Sequence, residues 1–398
     1  MTDIYTNLLG CRLCGKTTTL PVVLNLGEFT LSGFVKPDEP DPPSAPLVLH
    51  ECSACGLVQL GATVHRDLLY RNYSYRSGTN ESMRVELKRI VDLAMSKVDL
   101  QRGDSVLDIG CNDGTLLNFY PHTVETIGFE PSRLFMEAKR QNPHTGGRWI
   151  VNDFFPSSTS FGPIKCKIIT AIAMFYDVDD VHGFMEGVKE WLHDDGVFIV
   201  QMADLRQMVG NNAFDNICHE HLTYWSIAPF ERLLYLHGMW IVSLAPNDIN
   251  GGSICYVIRK IPEGEAVVMT HQIHPSWPTF KMRIDALGTQ VKATIREYGS
   301  VLGYGASTKG NTLLQYWGIG PDLIPAIADR NPDKWGLVTA GTRIPIISED
   351  QARAKNPDAF LCLPWHFKES FIDREQIYLR YGGGKLIFPL PNVGVVGR

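Results

Sequence analysis

The amino-acid sequence predicts an α/β protein in which a small cysteine-paired module precedes two successive doubly wound α/β units. Three observations predict it. Two Cys-x-x-Cys pairs fall within the first 55 residues, an apolar strand runs into an acidic glycine loop at 105–114, and a second strand ends in a glycine-rich turn at 301–310. With 398 residues and 44% hydrophobic content, the chain is long enough to bury more than one core. The expected units are 1–75, 76–240 and 241–398.

Taken in order, residues 35–46 are rich in Pro and Asp and predict an irregular loop. Residues 83–97 place Val85, Leu87, Ile90, Val91, Leu93 and Ala94 at helical spacing. An apolar strand starts at Ser105. Further strands are expected at 126–130, 167–174 and 197–202, with a helix over 181–191, the alternation of a parallel sheet covered on both faces. The same rhythm returns with strands at 301–304, 324–328, 359–363 and 385–388.

Net charge is −6 with no run of Lys or Arg, which removes the electrostatic footprint of a nucleic-acid binder. No stretch reaches the roughly 18 apolar residues of a membrane span, and residues 1–9 lack a signal pattern, so no membrane partner and a cytoplasmic location are expected. Nine cysteines in such a chain point to reduced thiols or metal ligands. Cys11-Arg-Leu-Cys14 and Cys52-Ser-Ala-Cys55 can each turn two thiolates to one side, the spacing of a tetrahedral zinc site. Four thiolates leave no position for water, so the zinc is expected to be structural.

Asp108-Ile-Gly-Cys-Asn-Asp-Gly114 lies between an apolar strand and Thr115-Leu-Leu, and Glu130 closes the next strand. Gly110 and Gly114 let backbone approach a ligand, while Glu130 can accept hydrogen bonds from ribose hydroxyls. An acidic loop repels pyrophosphate, which disfavours a dinucleotide and favours S-adenosyl-L-methionine, whose methionine end is cationic and can be addressed by Asp108. Asn112, Pro131, Asp153, Phe154 and Gln201 complete the expected cofactor contacts. Residues 214–224 concentrate Cys218, His219, Glu220, His221 and Tyr224; two histidines two apart do not form a zinc-protease helix, and catalytic and structural roles both stay open on local sequence. The turn at 301–311 brings Ser307, Lys309 and Asn311 to a helix start suited to phosphate, although the order is not that of a Walker loop. Asp329 and Lys334, in Asp-Arg-Asn-Pro-Asp-Lys after an apolar strand, can hold a nucleoside; Trp365 is added to the expected substrate contacts.

With these motifs in order, the chain resembles the sugar C-methyltransferases that act on nucleotide-linked 4-keto deoxysugars. The resemblance spans essentially the whole chain and is carried by the two cysteine pairs, DIGCNDG, FDNICHEHLTYWS, YGASTKGNTLLQ and ADRNPDKWG. It implies a zinc module, a central class I methyltransferase domain of Rossmann-like fold and a C-terminal Rossmann-like domain around one active site. It also implies that His221 is the base with Glu220 and Cys218 beside it, that Tyr75 of the segment starting at Tyr73 reaches the site, and that Ser307, Lys309 and Asn311 lie near the diphosphate. Some members carry a tyrosine where this chain has Cys218, and a histidine where it reads Phe175-Tyr176-Asp177.

The expected reaction is methylation of C3 of a dTDP- or GDP-linked 4-keto-6-deoxy sugar. His221 removes the proton α to the ketone, and Tyr224 or His219 steadies the enolate. The alternatives are O- or N-methylation of a nucleotide sugar, and a non-catalytic nucleotide-sugar binder. A monomer or weak homodimer is expected.

Overall fold

The structure, a computed structural model, describes residues 4–18, 20–70, 75–142, 147–157, 162–265, 267–380 and 382–397. The N-terminal module is built from β1 (Tyr5–Asn7), β2 (Val22–Thr30), β3 (Phe34–Val35), β4 (Ser44–Glu51), β5 (Val58–Leu60) and β6 (Ala62–Val64), followed by the short helix α1 (Arg66–Tyr70). Strand β4 starts inside the stretch expected to be irregular, because alternate residues from Ala45 to Leu49 are buried against β2. Of the segment starting at Tyr73, Tyr73 and Ser74 lie outside the described residues.

The central sheet shows why its residues form it. Strands β7 (Ser105–Ile109), β8 (Glu125–Phe129), β9 (Arg148–Val151), β10 (Cys166–Ile172) and β11 (Leu192–Ala203) are parallel and mostly buried on both faces. Alternation sends Leu107, Ile109, Ile169, Phe198 and Val200 to one face and Val106, Ile168, Val197 and Ile199 to the other. Helix α2 (Glu81–Met95) covers the second face with Leu87, Ile90, Val91 and Ala94. The first face takes α4 (Val181–Trp191), whose Val181, Phe184, Met185, Val188 and Trp191 recur at helical spacing. Each of these large side chains contributes about 1.5–3 kcal/mol by leaving water. Asp180 caps α4 by accepting the Gly183 N–H at 2.9 Å. Helix α3 (Phe135–Gln141) follows β8.

The short helix α5 (Leu205–Gly210), strand β12 (Thr223–Tyr224) and helix α6 (Ile227–Leu236) precede the antiparallel pair β13 (Met239–Asn247) and β14 (Ser253–Lys260). Strand β12 pairs with β5 of the N-terminal module, tying the two units together. The strand order β13-β14-β11-β10-β7-β8-β9 puts the reversal of direction between β7 and β10. The sheet therefore continues to Lys260, past the expected boundary at 240, because the β13–β14 hairpin folds back onto β11.

Helix α7 (Trp277–Arg296) leads into the C-terminal unit. Its sheet contains β15 (Val301–Tyr304), β16 (Ile327–Asp329), β18 (Ile346–Ser348), β19 (Ala359–Cys362), β20 (Lys385–Phe388) and β21 (Gly394–Val396), in the order β18-β16-β15-β19-β20-β21. The short β17 (Val338–Thr339) instead pairs with β3 of the N-terminal module. Helix α8 (Thr308–Trp317) follows β15, and here the reversal falls between β15 and β19. Crevices at such reversals are where open α/β sheets bind ligands, and both open into one cleft. Among the described residues no helix is long and apolar enough to cross a membrane.

Candidate active site

A cleft of about 1950 Å³ runs between the three units. Its central part starts where β7 ends. Gly110 lines the cleft and turns at φ 72°, and a Cβ there would meet Met174 Cγ at 3.2 Å, so glycine lets the loop backbone pass this close to Met174. Glu130 is buried; its carboxylate accepts the N–H groups of Asn112 and Ser132, both at 2.9 Å. Asp108 accepts the Thr170 hydroxyl at 2.6 Å, and burial, against that hydrogen bond and with the nearby Glu130 charge, pushes it up to about 7. Burial also pushes Glu130 up. Among the described residues neither carboxylate is paired with Lys or Arg. A cationic ligand end and a ribose diol fit this donor set, whereas a phosphate does not.

Residues 75–80 lie across this loop. Asn112 donates to the Tyr75 carbonyl at 3.0 Å and accepts the Ser77 N–H at 2.9 Å, while Asp113 accepts the Gly78 N–H at 2.9 Å. Arg76 bridges Glu137 of α3 at 2.9 Å and Asp333 of the C-terminal unit at 3.0 Å. Pro131, Asp153 and Phe154 also line the cleft, and the Arg66 guanidinium stands 4.1 Å over the Phe154 ring.

The second part is built by residues 214–221. His221 faces the cleft with its Nδ1 2.7 Å from the Asn216 carbonyl. That carbonyl can only accept, so Nδ1 carries the proton and Nε2 keeps its lone pair. The ring lies 4.1 Å from that of Tyr176. Burial, then the Lys309 charge, pushes His221 down to about 3, so it is neutral at physiological pH. Cys218, Glu220 and Asp177 share the wall. Burial pushes both carboxyls up, and Glu220 adds repulsion at Asp177.

Ser307, Lys309, Asp329 and Lys334 of the C-terminal unit line the same cleft. Ser307 caps α8 by accepting the Gly310 N–H at 2.9 Å, and Lys334 donates to Asp329 at 3.2 Å and to the Ala306 carbonyl at 2.7 Å.

Five expected contacts lie behind the cleft wall. Gln201 accepts from Asn247 at 2.9 Å, on the side of the sheet edge. His219 is buried with Nε2 2.9 Å from the Ala45 carbonyl. Tyr224 is buried beside a small void that Tyr176 and His221 also line. Asn311 donates to the Gly33 carbonyl at 3.0 Å, and Trp365 donates to Asp215 at 2.9 Å. Gly114, at φ 80°, packs against Ala138 and supports the loop from beneath. The sequence reading missed Thr170, Asn216, Asp215, Asn250 and His366. Asp215 and Asn216 stand in the same short motif as His221, which is the signal that can find them.

Away from the cleft, Cys11, Cys14, Cys52 and Cys55 bring their Sγ atoms within 4.8 Å of one another, none in a disulfide. Cys11 Sγ lies 3.5 Å from Cys55 Sγ and Cys14 Sγ 3.6 Å from Cys52 Sγ. Tetrahedral zinc with Zn–S of about 2.3 Å sets S···S near about 3.8 Å, so the four thiols fit zinc. Leu13 of this loop contributes its carbonyl to His182 at 2.8 Å, and Arg12 pairs with Asp179 at 2.8 Å, docking the zinc loop on the central unit.

The sheet order, the acid-ended β7 and β8 and the four-thiol module define a class I S-adenosylmethionine-dependent methyltransferase that carries a structural zinc module. Three family models match in succession: a zinc binding domain over residues 11–70, a methyltransferase domain over 79–244, and a C-methyltransferase C-terminal domain over 248–391. C-methyltransferase NovU of Streptomyces niveus is 29% identical over 100% of this chain and 99% of its own. Along its whole length the chain is thus similar to C-methyltransferases built from these three modules. Sphingolipid C9-methyltransferase 2 of Gibberella zeae is 32% identical over 28% of this chain and 23% of its own. Among solved structures, the plantazolicin methyltransferase BpumL in complex with SAH is 13% identical over 45% of this chain and 84% of its own, with a TM-score of 0.36.

Proposed function

We propose that this C-methyltransferase methylates C3 of a nucleotide-linked 4-keto-6-deoxy sugar, carried on dTDP or GDP, with His221 as the base. The observation that carries the reading is the His221 Nδ1–H bond to the Asn216 carbonyl, which leaves Nε2 unprotonated in the cleft. An ordinary sugar carbon is not nucleophilic at neutral pH. A proton α to a ketone is acidic enough for a positioned imidazole to remove, and such general-base catalysis contributes about 10²–10⁴-fold. Asp108 and Glu130 hold the cationic and ribose parts of the cofactor at the reversal point of the central sheet. S-adenosylmethionine, when bound there, supplies an electrophilic methyl group. Asp329 and Lys334 take the nucleoside end of the substrate, and the α8 N-terminus at Ser307 the diphosphate.

The test is incubation with S-adenosylmethionine and a panel of nucleotide-linked 4-keto sugars, with NMR of the product. A new methyl on carbon is the expected result. Methylation of oxygen or nitrogen, or turnover of sugars lacking the ketone, overturns the reading.

A further inference from the structure

We propose that Lys309 is a catalytic residue of the same reaction, the ammonium group that stabilises the oxyanion formed when His221 takes its proton. The inference rests on the keto-sugar reading above. Neither expected donor, His219 nor Tyr224, lines the cleft, whereas Lys309 does. Lys309 belongs to the first turn of α8, but its side chain reaches out of the C-terminal unit to the turn that joins β13 and β14 of the central sheet. Its Nζ donates to the Asn250 carbonyl at 3.0 Å. One of three N–H donors is thus committed, and among the described residues Lys309 makes no ion pair that consumes the others.

The ammonium is built into place from both sides. Asn250 presents its carbonyl from a left-handed conformation, φ 56° and ψ 21°, one that Asn tolerates better than most residues. Gly251 follows at φ 89°, where a Cβ meets Trp365 Cζ2 at 2.7 Å. That same Trp365 donates its indole N–H to Asp215 at 2.9 Å, and Asp215 is the buried carboxyl whose charge acts on Lys309. The counter-charge is therefore fixed at longer range than a contact pair, which leaves the ammonium free to meet a ligand oxygen. Lys309 and His221 stand in the wall of the same cleft, and the charge of Lys309 acts on the His221 ring.

The step balances as follows. His221 Nε2 takes the α-proton, the C–H pair becomes the enolate C=C, and the carbonyl π pair moves onto oxygen, where Lys309 donates a hydrogen bond. The oxygen pair re-forms the C=O bond while the enolate C=C pair makes the new C–CH₃ bond, and the sulfur–methyl bond breaks with its pair left on sulfur; the proton leaves His221 for solvent. Preorganised donors aimed at a developing oxyanion contribute about 10²–10³-fold.

The experiment is deuterium wash-in from D₂O at C3 of a turned-over keto-sugar nucleotide, with S-adenosylhomocysteine present so that transfer is blocked. Lys309→Met, checked for folding by circular dichroism, is expected to lower exchange at saturating sugar by about 10²–10³-fold, with the sugar nucleotide Kd changed less than about threefold. The acid limb assigned to His221 moves to higher pH, because removing a neighbouring cation raises an imidazole pKa. Lys309→Arg keeps the charge and is expected to exchange faster than Lys309→Met; it is the second variant if the methionine form does not fold. A Kd weakened tenfold or more with exchange at saturation unchanged assigns Lys309 to the diphosphate and overturns the proposal, as does equal exchange by the Arg and Met forms. Absence of exchange in the wild type is a separate failure and falls on the keto-sugar reading.

Discussion

The Nδ1–H of His221 donates to the carbonyl of Asn216, five residues earlier, at 2.7 Å. This one bond fixes the tautomer, and with burial and the Lys309 charge it makes His221 a neutral imidazole with a free Nε2. His221→Asn is expected to fold, to bind S-adenosylhomocysteine as the wild type does, and to lose about two to four orders of magnitude in methyl transfer. Because His221 is pushed down to about 3, it stays deprotonated as pH falls from 8 to 5. At saturating cofactor the rate therefore shows no limb near 6.5 from this group. A limb at 6.5 that vanishes in His221→Asn would contradict the lowered value while leaving His221 as the titrating base.

Asp108 gives a pH dependence of opposite origin. Burial holds its proton up to about 7, against a usual value of 3.8. The folded state thus keeps a proton that the unfolded chain has released between about 4 and about 7, and stability falls as pH rises through that window. Asp108→Asn is expected to remove that part of the decline, read as a flatter Tm against pH. Cofactor binding runs the other way. A cation needs the ionised carboxylate, so S-adenosylhomocysteine affinity should rise by up to about tenfold per pH unit below 7 in the wild type. Calorimetry between pH 5 and 8 checks this, and an equal slope in Asp108→Asn contradicts it.

What was legible in the sequence is what lies close together along the chain. The strand ending in Asp108, the glycine loop to Gly114 and the acid at Glu130 are each read from a few consecutive residues, because the period of a strand and the freedom of a glycine are local properties. The cysteine pairs were legible for the same reason. Gln201 was not, since its strand was evident but the side it faces depends on Asn247 arriving from the β13 edge. The hairpin 239–260 likewise alternates as any strand pair does, and nothing local shows that it closes on β11. The Trp365–Asp215 and Lys309–Asn250 bonds join residues 150 and 59 apart, and no spacing rule reaches that far.

Gly114 supports the cofactor loop by being a glycine at φ 80°, where a Cβ would collide with Asn142 Nδ2 and meet Ala138 Cα at 3.1 Å. Gly114→Ala is expected to cost about 2–4 kcal/mol, combining left-handed strain with overpacking. Gly103→Ala is the control. It shares the positive φ, 88°, but its Cβ meets nothing within 4 Å, so it should cost only the strain of about 1–2 kcal/mol. Urea denaturation compares the two, and equal losses would show that the packing around Gly114 relaxes.

The zinc site should report on docking as well as on folding. Its four thiols sit in a loop whose Leu13 carbonyl meets His182 and whose Arg12 meets Asp179, both on the central unit, and whose Cys11, Leu13 and Cys52 are buried in that unit's core. Metal binding free energy is therefore spent on holding the module against the central domain, where Arg66 and Tyr70 close on Phe154 at the cleft. One zinc per chain is expected by metal analysis of the purified protein. Cys52→Ser should lower Tm and soluble yield, and weaken cofactor binding through Phe154, while any correctly folded fraction turns over at close to the wild-type rate, since no thiol of the cluster reaches the base. Chelation should reproduce the effect and zinc should reverse it. A variant that keeps its Tm but loses turnover would place the cysteines in the chemistry instead.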